Sequence, residues 1–385
     1  MKYEINEEEA MILKMVDAVC TDVVSARAAE IDEQDEFPED IYRLFVDQGL
    51  FSLAYGEEYG GCEVSMHCWV RMIERISKES PAVALMVLIS AIGSDALVFS
   101  GTEQQKQTIL PKLASGDAKI CFALTEPRAG SDISSLSTTA KPVEGGWKVN
   151  GAKIFITNGE VSDYFTVFAK VLQDGEELPT CFVVPRDTPG LVIGRKEHKI
   201  GLRGSVTSQL FFEDMLVTPE MLVGEIGQGF EIAHHTLNRG RLAVAALSTG
   251  VTAACVEAAA TYAQERIQFH RTISDFQAVK FMLADMEIAL ECSHLLLDQA
   301  ADAYMDHSPN MMKFASAAKV YCSEHAVEAS RDAVQIFGGY GLCKDYPVER
   351  YYRDARSFTI IEGTSQVQKT LVAKAVLKEY AKPEA

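Results

Sequence analysis

Three textures of apolar patterning follow one another along the 385 residues. Up to about residue 118 the apolar positions recur with a helical period, through Glu7–Ala28, Glu39–Gln48, Val64–Ser77, Pro81–Phe99 and Glu103–Ala114. Gly60–Gly61, Gly101 and Pro111 read as breaks, and Pro81 after Ser80 suits a first helical turn. From Lys119 the period shortens. Segments 119–125, 137–143, 146–151, 152–158, 164–171, 180–185 and 208–217 are short, β-branched or aromatic, and partly alternating. Turn signals at Gly145-Gly146, Asn150-Gly151, Asp174-Gly175 and Pro189-Gly190 separate them. Strands at this spacing predict a small barrel or sandwich of about a hundred residues. Beyond Gly229 the helical period returns in four long patterns: Phe230–Ile267, about Phe276–His307, Asn310–Phe337, and Ser365 to about Tyr380. They predict an antiparallel bundle. The expected fold is α+β, mainly α: an all-α domain over 1–118, a β domain over 119–225 and a helical bundle over 226–385, with no internal repeat.

Composition narrows the partners. Hydrophobic residues make up 48% of the chain and charged ones 24%, as in an ordinary soluble globular protein. Lys plus Arg number 36 and Asp plus Glu 55, a net charge of −19. That field repels nucleic acid and anionic membrane, so neither is an expected partner. The apolar stretch 82–99 is broken by Ser90, Gly93, Ser94 and Asp95 and reads as a buried helix, not a membrane span. Nine scattered cysteines, odd in number and without a C-x-x-C, suggest free thiols in a reducing compartment and neither a disulfide frame nor a zinc site. The acid-rich first residues are unlike a signal or transit peptide. The expected location is the cytoplasm of a bacterial-type cell, or the mitochondrial matrix for a mature protein.

Familiar nucleotide motifs are missing. Gly227-x-Gly229 lacks a third glycine and a preceding strand, and there is no Walker loop. His234 and His235 are adjacent on a helix and cannot face one ligand, so no metal is expected. Other segments carry more chemistry, each with an ordinary structural explanation beside it. Segment 121–132 ends a strand at Thr125 and passes Pro127 and Gly130 to Ser131. Glycine admits a flat ligand and the hydroxyls can bond its polar edge, or the segment is a plain turn. Phe155 and Thr157 share a strand face, as a stacking platform or as a core edge. Arg266, His270 and Arg271 beside Phe269 suit a pyrophosphate, or a helix C-terminus. Gly338, Gly339 and Gly341 open a loop pressed on a ligand or subunit, or an ordinary interhelix loop. Finally, the apolar or β-branched run Phe358–Ile361 ends at Glu362-Gly363-Thr364-Ser365. Ser365 and Gln368 have capping-box spacing, so by itself Glu362 reads as helix punctuation.

Together, in order and spacing, these segments resemble the acyl-CoA dehydrogenase family over nearly the whole chain. Ala123-Leu124-Thr125-Glu126-Pro127-x-Ala129-Gly130-Ser131-Asp132 resembles its first signature. Gln335-x-x-Gly338-Gly339-x-Gly341-Leu342-x-x-Asp345, with Arg350 and Asp354, resembles its second. The texture is most similar to the short-chain branch. The resemblance implies FAD between the β domain and the bundle of a homotetramer (or dimer of dimers), an acyl-CoA substrate and an electron-transferring flavoprotein as partner. By position, Phe122, Thr125, Phe155 and Thr157 would line the flavin, and Ser131 would lie near the cofactor and the CoA chain. Arg266, Phe269 and Gln277 would hold the adenosine and pyrophosphate end of a neighbour's FAD. Gln335 and Gly339 would meet FAD across the same contact, and Thr364 and Gln366 would sit by its dinucleotide. Asn238, Arg241 and Gly363 would border the acyl-CoA.

Glu362 then takes the place of the catalytic base. The implied reaction removes an α-proton from a short- or medium-chain acyl-CoA while a β-hydride goes to flavin N5, leaving a trans-2-enoyl-CoA, as in fatty acid β-oxidation. An enoyl-CoA reductase, an acyl-CoA oxidase and a non-catalytic subunit of a flavoprotein complex are the alternatives on the same fold. A carboxylate in a water-poor pocket is a stronger base than one in bulk water, and the thioester oxygen needs donors as enolate charge develops. In the family these are the N–H of the base residue and a ribityl hydroxyl. Ile360 and Ile361 are expected to supply the desolvation. Some relatives carry the base at the position of Gly240, where this chain has no side chain. Met86–Ser94, without Arg or Lys, is expected to line the acyl pocket and favour an uncharged chain over a dicarboxylyl one. Three positions depart from the family pattern: Phe155 replaces a tryptophan, Arg128 a glycine and Asn238 an acid.

Overall fold

A computed structural model describes residues 4–381. Asn6 and Glu9 form a reciprocal cap that starts a continuous helical rod. The rod comprises α1 (Glu7–Val19), a π-helical turn (Cys20–Val24) and α2 (Ser25–Gln34). It outruns the expected end at Ala28 and stops where Asp35 turns left-handed, φ 54°. Next come α3 (Glu39–Asp47), α4 (Met66–Glu79), α5 (Pro81–Ser100) and α6 (Glu103–Ala114). Pro111, read as a break, lies inside α6. The carbonyl it leaves without an N–H belongs to Gln107, an exposed residue that water can satisfy, while Leu110 and Leu113 keep the turn packed. α5 is buried along nearly its whole length. α5 and the long α7 (introduced below) have apolar windows long enough to cross a bilayer, but those windows are 83% and 78% buried inside the protein. Core packing therefore accounts for their hydropathy.

The β domain contains β1 (Ile120–Ala123), β2 (Thr139–Val143), β3 (Gly146–Thr157), β4 (Tyr164–Gln173), β5 (Glu176–Pro185), β6 (Leu191–Lys196), β7 (Thr207–Val217) and β8 (Leu222–Val223). Their order is β6-β7-β3-β2-β4-β5-β8, with β1 also pairing β4. β2 and β1 run parallel to β4, and the other pairs are antiparallel. The sheet curls on itself, so that Trp147 of β3 meets Phe182 of β5 with ring centroids 5.7 Å apart. Segments 146–151 and 152–158, expected as two strands, are one. Asn150-Gly151 is a bulge in β3 and not a turn: the register against β7 shifts between Val149 and Gly151. Gly151 is required there, because a Cβ would stand 2.4 Å from Thr138 Oγ1. β6 and β8 were not expected; β6 lacks clean alternation and β8 has only two residues.

A buried ion pair ties the loop after β1 to β3. Lys153 Nζ lies 2.7 Å from Glu126 Oε1 and both side chains are fully buried. Burial pushes Glu126 up, but the ammonium and the Ser137 and Thr138 donors outweigh it and hold the carboxyl at about 2. Glu126→Gln leaves a buried ammonium unpaired, and chemical unfolding at pH 7 is expected to show a loss of about 3–5 kcal/mol. Because the folded value lies below the ordinary 4.5, the carboxylate's stabilisation is complete above that value. It disappears as pH falls toward about 2, and the variant lacks this acid-dependent component.

The C-terminal part consists of α7 (Gly229–Glu265), the hairpin β9 (Ile267–Gln268) and β10 (Arg271–Thr272), α8 (Gln277–Met305), α9 (Met311–Phe337), α10 (Val348–Phe358) and α11 (Ser365–Glu379). α10, which follows the loop opened by Gly338, Gly339 and Gly341, was not expected. Its inner face includes Val348, Tyr351, Ala355 and Phe358 at helical spacing, together with buried Arg350 and Asp354.

Candidate active site

Between α10 and α11 the chain makes a turn that helix punctuation does not explain. Glu362 has φ 52° and Gly363 φ 93°. A non-glycine residue in this region carries roughly 1–2 kcal/mol of strain. Two buried side chains hold the turn. Gln368 Nε2 donates to the Glu362 carbonyl at 2.9 Å, and Lys319 Nζ on α9 donates to the Gly363 carbonyl at 2.7 Å. The capping box expected of Ser365 and Gln368 is therefore not formed. Thr364 is the N-cap, accepting from the Val367 N–H, and the Gln368 amide supports the turn instead. The N–H groups of Glu362 and Gly363 meet no acceptor among the described residues.

The Glu362 carboxylate fills the space left by a missing side chain. A Cβ on Gly240 of α7 would stand 2.4 Å from Oε2 and 3.0 Å from Cδ. Oε2 is buried and accepts no hydrogen bond. Burial pushes the carboxyl above its ordinary range, against the opposing pull of Arg241 and Lys319. Both cations are buried. Burial lowers Arg241 to about 10 and Lys319 to about 8, and Glu362 acts to raise each. Arg241 Nη1 donates to Asn238 Oδ1. Asn238 brings no negative charge, so the positive charge of Arg241 is left to act on Glu362. Desolvation does not come from Ile360, which is 53% exposed; the chain turns tightly there and sends it outward. Ile361, packed on the core, and the buried wall of α7 provide it.

A second set of residues lies on the β domain. The Ile154 N–H donates to the Thr125 carbonyl at 3.0 Å, joining the end of β1 to β3. This brings Phe122 and Thr125 toward the segment that holds Phe155 and Thr157. Phe122 packs edge-on against Phe168. Phe155 sits in a second bulge of β3, between Lys153 and Ile156, with φ 57°. It keeps a large ring 60% exposed. Ser131 is exposed in the following loop. An uncovered aromatic ring beside hydroxyls suits a flat, polar-edged ligand.

The other expected site residues lie far away. Arg266, Phe269, Gln277, Gln335 and Gly339 are all exposed. The Arg266 guanidinium covers the Tyr340 ring, 5.6 Å from its centroid, which draws the α7 end to the glycine turn after α9. Phe269 is 84% exposed at the β9–β10 turn. From Gly240 to the end of α7 the helix rises about 38 Å, so one copy does not bring this group and Glu362 together. Thr364 and Gln366 lie at the start of α11, beside Glu362.

Three features of the site were not read from the sequence: Lys319, the Gln368 amide, and the role of Gly240 as a vacancy. The signal for Lys319 was present as a single long cation directly after the small-residue run 315–318, which suits a closely packed helix. Just past the apolar stretch Met86–Ser94, Asp95 is fully buried and accepts from Arg239 at 2.9 Å.

Comparisons with known proteins agree along the whole chain. Descriptions of the acyl-CoA dehydrogenase N-terminal, middle and C-terminal domains match residues 6–117, 121–215 and 227–377. The chain is 40% identical over 375 residues to an acyl-CoA dehydrogenase of Bacillus subtilis, covering 97% of this chain and 99% of that one. It is 40% identical over 378 residues to subunit CarC of the caffeyl-CoA reductase-Etf complex of Acetobacterium woodii (97% and 99%), and 38% identical over 375 residues to a 3-(aryl)acrylate reductase of Clostridium sporogenes (97% and 99%). Among solved structures, butyryl-CoA dehydrogenase of Megasphaera elsdenii superposes with a TM-score of 0.93 at 34% identity, covering 98% of this chain and 100% of that one. An acyl-CoA dehydrogenase of Bacillus anthracis complexed with FAD gives 0.92 at 31% identity, covering 99% and 68%.

Proposed function

Because the chain belongs to the acyl-CoA dehydrogenase family and is an FAD-dependent oxidoreductase of it, we propose that it oxidises a short- or medium-chain acyl-CoA at Cα and Cβ, with Glu362 as the base. The observation that carries this reading is Glu362 Oε2: buried, without a donor, and seated opposite Gly240. A carboxylate oxygen kept from water and from hydrogen bonds is poised to take a proton.

The residues present fit FAD. Phe155 offers an uncovered ring held outward by a bulge, and Thr125 and Thr157 offer hydroxyls near it. When bound, FAD supplies the acceptor for the β-hydrogen and its electron pair. The chain's own residues perform the rest. Glu362 takes the α-proton. Its N–H, free of any acceptor among the described residues, is available to the thioester oxygen as negative charge develops there. Arg241 and Lys319 favour the ionised carboxylate that the reaction needs. Gly363 permits close approach of the substrate. The wall Met86–Ser94 is uncharged, and the nearest acid, Asp95, is neutralised by Arg239; both support an uncharged acyl chain. Steady-state and bleaching assays with butyryl-, hexanoyl- and glutaryl-CoA should rank glutaryl-CoA last. Fastest bleaching by glutaryl-CoA would overturn the assignment.

A second reading is reduction of an enoyl-CoA, favoured by the whole-length similarity to the caffeyl-CoA reductase subunit and to the 3-(aryl)acrylate reductase. Glu362, protonated, would then deliver the proton to Cα. Protein reduced with dithionite and mixed with enoyl- or arylacrylyl-CoA separates the two directions: reoxidation much faster than forward bleaching favours the reductase. Electron transfer with an electron-transferring flavoprotein is the proposed partner reaction for either direction, in line with the CarC complex. We also propose a homotetramer in which Arg266, Phe269, Gln277, Gln335 and Gly339 serve a neighbour's FAD. Support comes from their distance from Glu362 along α7 and from Phe281, Ile288 and Leu295, exposed at seven-residue spacing on α8. Light scattering of the purified protein tests it, and a monomer would refute it.

A further inference from the structure

We propose that Lys319 is a positioning residue for the base: its buried ammonium, bonded to the Gly363 carbonyl, locks the left-handed turn that carries Glu362 into the space opposite Gly240. The proposal rests on the reading of Glu362 as the base.

Burying an ammonium is expensive unless something is gained by it. Lys319 is completely buried on α9, and its hydrogen bond to the Gly363 carbonyl, at 2.7 Å, is a bond to a neutral acceptor. No carboxylate lies within salt-bridge distance of its Nζ among the described residues. A structural role alone would be met by a methionine of similar length at less cost. The location of the bond explains the expense. Glu362 is held at φ 52°, a strained conformation for a residue with a side chain, and such strain persists only where the surroundings enforce it. The peptide carbonyls on either side of Gly363 are each held from behind, one by Gln368 on α11 and the next by Lys319 on α9. Two helices thus fix the two peptide planes that follow Glu362, and the first of these adjoins its Cα and helps set the direction of its side chain. With those planes fixed, the carboxylate passes through a gap with no room to spare, since the position of a Gly240 Cβ is 2.4 Å away.

The ammonium also acts through its charge. The charged groups that face Glu362 are Arg241 from α7 and Lys319 from α9, while α11 contributes only the neutral Gln368. Glu324, further along α9, is engaged by Lys369. Both cations oppose the upward push of burial on the Glu362 carboxyl. Removing one leaves the carboxyl harder to ionise, so the rate should require a higher pH.

The test compares Lys319→Met, Lys319→Arg and Gln368→Leu with the FAD-loaded wild type. Lys313→Met serves as a control, on the same helix but paired with Glu379 at the surface. Single-turnover bleaching by a saturating acyl-CoA is followed across pH. Lys319→Met should bind FAD, keep KM within about threefold, and bleach about 10–100-fold more slowly, the penalty of an ångström-scale misplacement of the base. The acid limb of its profile should move up by about one pH unit. Lys319→Arg should return the limb toward its wild-type position. Gln368→Leu should slow bleaching without moving the limb, because it loosens the turn and leaves the charges in place. The infrared band of protonated Glu362, identified by its absence in Glu362→Gln, should persist to higher pH in Lys319→Met even without substrate. Lys319→Met with the wild-type rate and limb would overturn the proposal. Should that variant fail to fold, a wild-type rate and limb in Lys319→Gln, whose side chain lacks the charge and is one bond shorter than the lysine that reaches the Gly363 carbonyl, would overturn the proposal. Failure of the wild type to bleach with any acyl-CoA is a different result, and it strikes the function of Glu362 itself.

Discussion

Glu362→Gln is expected to yield a folded, yellow, FAD-loaded protein that acyl-CoA no longer bleaches, with flavin reduction slowed by about 10³-fold or more. The change is nearly isosteric and removes the proton-accepting carboxylate together with its charge toward Arg241 and Lys319. It should disturb the fold little, since both bonds that secure the turn go to backbone carbonyls of residues 362 and 363 and not to the carboxylate. Oε2 accepts nothing in the wild type, so no partner is orphaned. Thermal melting and FAD content should stay close to wild type, which separates loss of chemistry from loss of structure. Stopped-flow absorbance of the flavin band provides the measurement. Bleaching within about threefold of the wild-type rate would show that another group takes the proton.

Gly240→Ala is expected to slow bleaching by about 100-fold while leaving stability almost unchanged. Alanine is favoured over glycine in a helix interior by about 1 kcal/mol, so α7 itself gains from the change. Its new methyl would lie 2.4 Å from Glu362 Oε2, closer than atoms can approach. The atom that must yield is the tip of a flexible side chain, and it can swing away cheaply. What moves, however, is the base, and displacements of about 1 Å at a reacting group can reduce rates by about 10²-fold. The expected signature is a protein that melts at or above the wild-type temperature and turns over poorly. A wild-type rate in Gly240→Ala would mean that the carboxylate does not work from this space.

The coarse fold was legible in the sequence because period is a strong signal. Helices α4 to α9 appear within a few residues of their expected limits, since each buries apolar positions along its length; α11 does too, although it buries only Ser365 and Gln368. The failures have local causes. α10 carries its buried charges, Arg350 and Asp354, among its apolar positions, which blurs the stripe. β3 looked like two strands because a glycine bulge resembles a turn in sequence. At the candidate site, residue type alone left Glu362 as helix punctuation and Phe155 as a platform or a core edge; only the family resemblance singled them out, because neither the buried Oε2 nor the exposed ring is written in a residue type. Lys319 and Gln368 were not legible, because their importance lies in which carbonyl each one reaches, and that depends on how α9 and α11 pack around the turn. Ile360 was misread for the opposite reason: an apolar residue beside Glu362 was assumed to face its carboxylate, and the backbone turns it away.

The shared space between Gly240 and Glu362 also constrains descent. A carboxylate carried on α7 at residue 240 and the one carried by the turn at residue 362 would occupy the same few cubic ångströms, so a lineage can keep one or the other but not both. Moving the base from turn to helix requires an ancestor that either crowds two anions into one cavity or has no base at all. Within one chain the two placements therefore exclude each other.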